Sequence, residues 1–294
     1  MKNKFGLLGR LALFATTLIW GTSFVILKNT LDNISVMWVL AIRFVIASVL
    51  LLLFASKKLR SMDRKSFWGS VLIGVCLAAA YIVQTYGLKY TTPGKNSFLT
   101  SVYCILVPFF AWGFFKRKPG VHNVLGAVIC VAGIGFVALD SGFGNINIGD
   151  GLTLACGIFY ALQIILIEQY ISGCDSLSVS AVEFSTAAII CLVGALIFES
   201  VPASIPTNQI FSLLYMGAMC TALCFFLQAW GMKYVPSSTA AMIMTLEAVF
   251  GTVFSVIVYH EQITPRLFVG FVLIFFAVVI SEAGGELFRK LKKQ

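Results

Sequence analysis

The chain has 294 residues, of which 59% are hydrophobic and 11% charged, with a mean hydropathy of +0.95. A soluble fold of this length has too little interior to hide that much apolar surface, which excludes a soluble enzyme, a secreted disulfide scaffold and a nucleic-acid binder. The formal charge of +9 does not mark an acidic partner, because the 21 Lys and Arg residues cluster between apolar stretches and act as topology signals.

A transmembrane helix needs about 20 mostly apolar residues. Dividing the chain at its charged or Pro/Gly/Asn-rich breaks predicts ten spans, near 8–28, 36–56, 67–88, 95–115, 121–140, 151–170, 177–198, 208–232, 237–259 and 265–283. Runs such as 45–54 are apolar throughout, without the alternation of a membrane barrel, so the expected fold class is an all-α integral membrane protein. Lys2, Lys4 and Arg10 precede the first apolar run as in a signal peptide, but no small-residue cleavage pattern follows before Lys28, and the run is expected to stay as the first span.

Placing both termini in the cytoplasm of a cell-membrane protein puts sixteen Lys and Arg residues inside, among them Lys57, Lys58, Lys116, Arg117, Lys233, Lys292 and Lys293. Only Lys28, Lys89, Lys95 and Arg266 fall outside, and Arg43 lies within a span. This asymmetry follows the positive-inside rule. The eight cysteines, Cys174 included, contain no C-x-x-C pair and read as small core residues. His122 and His260, near opposite span ends, read as interface residues, and neither a metal nor a cofactor is expected.

The chain also repeats itself. Q-T-Y-G-L-K-Y at 84–90 matches Q-A-W-G-M-K-Y at 228–234, and the same offset of 144 pairs Cys76 with Cys220 and Gly126 with Gly270. An offset of 140 superposes Trp20 on Tyr160 and Arg43 on Glu183. Two five-helix halves, 1–146 and 147–294, are therefore expected. Because five is odd, the second half enters the membrane from the opposite side, giving ten transmembrane helices as two inverted repeats, the architecture of secondary transporters.

Several features in order resemble the EamA-type transporters of the drug/metabolite transporter superfamily: L-I-W-G-T-S-F at 18–24, Arg43 in the second span, F-L-T-S-V-Y-C-I-L-V-P at 98–108, Leu246-Glu247 in the ninth, and Glu261 ahead of a helix with Gly270. The sequence departs from the family at Ala248, where a proline usually follows the glutamate. The resemblance implies a cavity lined by spans 1, 3, 4, 6, 8 and 9, peripheral spans 5 and 10, and transport of small metabolites, often export of amino acids.

Ionisable groups inside a span cost about 2.5–3.5 kcal/mol on insertion scales, so each needs a reason. Glu247, reckoned about ten residues into the ninth span, sits about 15 Å deep, near the midplane, and is the candidate for proton or substrate binding. Arg43 and Glu183 lie nearer opposite faces, so they are not expected to pair. By the same depth count Arg43 is too near one face to neutralise Glu247 permanently. Arg43 is long enough to snorkel, and Glu183 is near enough to the interface to stay hydrated.

Uncharged polar groups fall on helical stripes. Thr16, Trp20 and Ser23 mark the first span, and Cys156, Tyr160 and Gln163 the sixth. Asn96, Thr100, Tyr103 and Cys104 mark the fourth, where Tyr103 is the repeat equivalent of Glu247. Tyr81 with Gln84, and Gln228 with Trp230, mark the third and eighth. Such groups face either a hydrated cavity or ordinary interhelical hydrogen bonds. Pro108 predicts a kink in the fourth span, and the glycines at 126, 133 and 135 predict packing surfaces.

A secondary transporter of a neutral or zwitterionic solute, with an amino acid foremost and proton coupling through Glu247, fits these features best. Aromatic groups at Trp20, Tyr81, Tyr103, Tyr160 and Trp230 would also suit organic cations or nucleosides. A membrane enzyme lacks its acid, base and nucleophile cluster, and a channel lacks a continuous ring of like polar groups. The expected partners are a small-molecule substrate and the lipid bilayer, with a homodimer left open.

Overall fold

A computed structural model describes residues 2–60, 62–138, 147–170, 175–231, 234, 243–244 and 246–291. Cys174, Lys233, Lys292, Lys293, the 146/147 division between the halves and the 237–242 part of the ninth span lie at or beyond the edge of the described residues. The helices are α1 (Lys2–Leu31), α2 (Val36–Leu59), α3 (Arg64–Tyr90), α4 (Pro93–Thr100), α5 (Tyr103–Phe115), α6 (Val121–Ala138), α7 (Ile148–Tyr170), α8 (Ser176–Phe198), α9 (Thr207–Leu214), α10 (Cys224–Gly231), α11 (Leu246–Tyr259) and α12 (Pro265–Leu291). A π-helical segment, Tyr215–Leu223, joins α9 to α10.

Seven of the resulting stretches are long and apolar enough to cross a membrane: Gly6–Leu31, Val36–Ala55, Arg64–Tyr90, Pro93–Phe115, Ile148–Ile167, Leu177–Phe198 and Thr207–Gln228. Val121–Val137, Leu246–Tyr259 and Pro265–Ser281 are shorter apolar helices. The chain is a multi-pass, all-α membrane protein.

Local chemistry sets the helix ends. Asp63 caps α3, accepting from the backbone N–H groups of Lys65 and Ser66 at 3.1 Å, and Asp175 caps α8 through Ser178. Hydrogen bonds from Ser66, first through its side chain, and from the Lys65 backbone hold the Asp63 carboxyl below the ordinary carboxylate range. That cap is therefore charged at neutral pH and is lost only as pH falls through the lowered value. Lys116 ends α5 in the left-handed conformation at φ 57°.

The fourth predicted span is broken upstream of Pro108, at Ser101–Val102, between α4 and α5. There the backbone bonds tighten to three-residue spacing, from Val102 to Leu99, Cys104 to Ser101 and Ile105 to Val102. Ser97 and Ser101 turn their hydroxyls back onto the carbonyls of Gly94 and Phe98, competing with the α-helical ladder. Pro108 lies inside α5.

Helices pair as α2 with α8, α3 with α7 and α8, α6 with α12, α1 with α10 and α11, and α4 with α11. Two buried clusters hold these pairs: Leu40, Phe44, Leu77 and Phe184 around α2, α3 and α8, and Leu99, Ile105, Phe271 and Ile274 around α4 to α6 and α12. Lipid tails are as apolar as these side chains, so close fit rather than water exclusion holds the helices together. Gly126 and Gly133 face α12 at close range, as expected of packing surfaces, whereas Gly135 has open space around it and is not part of one.

Helix α1 crosses α11 at close range. A Cβ on Gly21 would lie 2.5 Å from the Phe250 Cβ and 3.0 Å from its carbonyl carbon, so only glycine lets the two backbones approach. Gly21→Val is expected to destabilise the protein by about 1–3 kcal/mol through overpacking. Gly113→Ala, where nothing lies within 4 Å of the new Cβ, serves as the neutral control. Thermal unfolding in detergent that left Gly21→Val at the wild-type midpoint would contradict this packing.

Candidate functional site

Polar side chains from α2, α3, α4, α5 and α7 converge in the interior. The Tyr160 hydroxyl donates to Gln84 Oε1 at 2.8 Å, and Gln84 Nε2 donates to Thr100 Oγ1 at 2.9 Å. Asn96 Nδ2 donates to the Gln84 carbonyl at 3.3 Å and to Thr153 Oγ1 at 2.7 Å. The rings of Tyr81 and Tyr103 lie against Tyr160, with centroids 5.7 and 5.8 Å away. Tyr81, Gln84, Asn96, Tyr103 and Tyr160, predicted from separate stripes, thus form one group.

Arg43 completes it. Its Nε donates to Thr221 Oγ1 at 2.8 Å, its Nη2 lies 3.5 Å from the Tyr81 hydroxyl, and its guanidinium sits over the Tyr81 ring, 4.9 Å from the centroid. The residue is 2% exposed, so it does not snorkel. Helix α8 and the π-helical segment pack against α2 and leave the long side chain an inward route. Among the described residues no carboxylate forms an ion pair with it.

The π-helical segment makes this placement possible. One extra residue per turn swings Thr221 toward Arg43 while its hydroxyl donates to the Met216 carbonyl five residues back, at 2.8 Å. The Trp20 indole donates to the Cys220 carbonyl in the same segment at 2.7 Å. Trp20 therefore borders the site from α1 and packs edge-on against Phe225.

Glu247, in the first described turn of α11, opens onto a small cleft lined by Ser97, Thr100, Ser101, Tyr103 and Cys104. Among the described residues the Glu247 carboxyl has no hydrogen-bond partner. Arg43 and Glu247 thus both border the tyrosine group, and among the described residues they are not bonded to each other.

The remaining predicted residues stand apart. Gln163 donates to Glu183 Oε1 at 2.5 Å, and Glu183 is 3% exposed, so it is buried between helices rather than hydrated at an interface. Gln228 is half-buried and joins none of the groups above, and Trp230 lies edge-on against Tyr234 with centroids 5.2 Å apart. Thr100, Thr153 and Thr221 are site groups, of which only Thr100 stood on a predicted stripe. Threonines are common enough in membrane helices that sequence alone does not single them out. No group of three His, Cys, Asp or Glu that could hold a metal occurs among the described residues.

The EamA-like transporter family model matches the chain twice, over residues 7–139 and 147–282. The chain is 34% identical over 270 residues to an uncharacterized transporter of Archaeoglobus fulgidus, covering 92% of this chain and 84% of the relative. It is 26% identical over 276 residues to the uncharacterized transporter YoaV of Bacillus subtilis, covering 90% and 93%. A solved crystal structure shares the fold, with a TM-score of 0.67 at 16% identity over 93% of this chain and 96% of that one. Matched over nearly its whole length, the chain belongs to the EamA-like transporter family of the drug/metabolite transporter superfamily and is a membrane transporter of small molecules.

Proposed function

We propose that the protein is a secondary active transporter of small zwitterionic solutes, amino acids foremost, and that it works as an exporter in the cell membrane. The observation that carries this reading is the Arg43 and Glu247 arrangement. The Arg43 guanidinium sits over the Tyr81 ring and the Glu247 carboxyl opens onto the cleft beside Tyr103, and among the described residues the two are not bonded to each other. A solute carrying both a carboxylate and an ammonium group satisfies both charges at once. An organic cation would meet the repulsion of a buried Arg43, and a nucleoside would leave both charges unmatched.

Alternating access follows if residues 1–146 and 147–294 are inverted halves. Two observations support this. The family model matches once in each half. The helices also pair as a two-fold arrangement requires: α2 with its repeat equivalent α8, α6 with α12, α4 with α11, and α3 with α7 alongside α1 with α10. Inverted halves that exchange conformations make inward-open and outward-open states near-equal in energy. The charge asymmetry between connections supports cytoplasmic termini, which puts the 32–35, 91–92 and 260–264 connections outside.

A thermal-shift series on the purified protein tests the solute class. Neutral α-amino acids are expected to raise the unfolding temperature, because a ligand at 100 times its dissociation constant stabilises by about 2.7 kcal/mol. Amines without a carboxylate, carboxylates without an amine, and nucleosides are expected to leave it unchanged. A shift produced equally by simple amines would replace this reading with organic-cation transport.

A further inference from the structure

The turn between α3 and α4 is held by charges that arrive from elsewhere in the chain. Lys28 of α1 donates to three carbonyl oxygens at the carboxyl end of α3, those of Leu88, Lys89 and Thr91, at 2.7, 3.0 and 2.8 Å. Those three bonds use every N–H of the ammonium group. Glu261, just beyond α11, accepts at the amino end of α4 from the Thr92 hydroxyl and from the Gly94 N–H at 3.1 Å, and it also accepts from the Ser255 hydroxyl of α11. A cation thus sits at one helix carboxyl terminus and an anion at the next helix amino terminus, each matching the local helix dipole.

Further ties converge on the same turn. Thr91 donates to Asp150 of α7, Lys95 lies 3.9 Å from Asp150, and Asn147 donates to the Tyr90 carbonyl at 2.7 Å. A Cβ on Gly94 would stand 2.6 Å from Glu261 Oε2, so glycine is what lets the carboxylate reach the backbone. At the opposite end of the bundle, Asp63 and Asp175 cap the helices that follow them directly in sequence. The long-range charged ties described here gather at one end.

Helix α4 connects this turn to the site. It is eight residues long, about 12 Å, and is separated from α5 by the break at Ser101–Val102. Asn96 and Thr100 bond the Gln84 group, and the Ser97 hydroxyl donates to the carbonyl of Ala248, next to Glu247. A short helix hinged at one end, pinned by a carboxylate at the other, and bordering the Glu247 cleft along its length has the form of a gate.

We propose that α4 is the gate at this end of the transporter, shown here shut, and that Glu261 is the positioning residue that latches it. The inference rests on the transport reading and names where access to that site is controlled. A cavity of about 300 Å³ bounded by Lys28, Tyr90, Thr92, Lys95, Tyr259 and Glu261 marks where the latch would part.

Native cysteines report the gate without any added probe site. Cys104 lines the Glu247 cleft and is buried here, whereas Cys130 and Cys191 are buried and do not line the cleft. The test compares wild type, Glu261→Ala and Lys28→Met in intact cells and in inverted vesicles. Each preparation is treated with a membrane-impermeant maleimide, and labelling is read by mass spectrometry.

Loss of a charge-assisted bond is expected to raise Cys104 labelling from the external face by about tenfold in both variants, with Cys130 and Cys191 protected as in wild type. Unchanged Cys104 labelling in both folded variants would overturn the latch. A parallel rise at Cys130 and Cys191 would also overturn it, because it would mean general loosening. A rise confined to Cys104 but seen only from the cytoplasmic face would support the latch and reverse the orientation. Because labelling needs no substrate, its outcome is independent of the solute class.

Discussion

Arg43→Met is expected to abolish the thermal shift given by neutral amino acids and to cut their uptake into proteoliposomes by about ten- to a hundredfold, the value of one or two charge-assisted hydrogen bonds. The protein itself is expected to lose little stability. Removing a buried cation removes its desolvation cost along with its favourable contacts, and an apolar side chain of similar length is often neutral in that exchange. Thr221 keeps its bond to the Met216 carbonyl, and Tyr81 keeps its packing against Phe44 and Tyr160. Arg43→Lys is expected to recover only part of the function. A lysine supplies the charge but cannot both bond Thr221 and lie flat over the Tyr81 ring. A folded Arg43→Met protein that bound amino acids with wild-type affinity would show that Arg43 is a packing element and that the substrate carboxylate is held elsewhere.

The apolar runs made the spans legible, because twenty consecutive apolar residues leave few alternatives to a membrane helix. What lies inside the spans was legible only as far as spacing reaches. Tyr160 and Gln163 share a stripe on α7, yet a three-residue step turns the side chain by about 60°, enough to send Tyr160 to Gln84 and Gln163 to Glu183. The position of the break in the fourth span depends on where Ser97 and Ser101 turn their hydroxyls, a local competition that a proline rule does not capture. The π-helical segment had no signature at all. Its composition suits an α-helix equally well, and its register is tied to tertiary partners: the Trp20 indole on the Cys220 carbonyl, and Gly217 against Ile46 and the Arg43 backbone.

Glu247→Gln is expected to leave the protein folded and able to exchange substrate, but to remove the response of net transport to an imposed proton gradient. The Glu247 carboxyl opens onto the cleft beside Ser97, Thr100 and Tyr103, and among the described residues it is hydrogen-bonded to none of its neighbours. Such a carboxyl is free to bind one of two visitors, a proton or a substrate ammonium group, and binding either one excludes the other. Proton entry on one side then displaces solute, and solute entry on the other displaces the proton, which is antiport. Glutamine is isosteric and still offers an oxygen to the ammonium, so binding is weakened rather than lost, but the amide cannot exchange a proton. In proteoliposomes with a pH difference imposed across the membrane, gradient-driven flux should fall by about tenfold or more, the scale of a lost charge-assisted bond, while counterflow against internal substrate persists. A variant whose net flux kept its full dependence on the proton gradient would refute this coupling role and leave Glu247 as a binding group for the substrate ammonium alone.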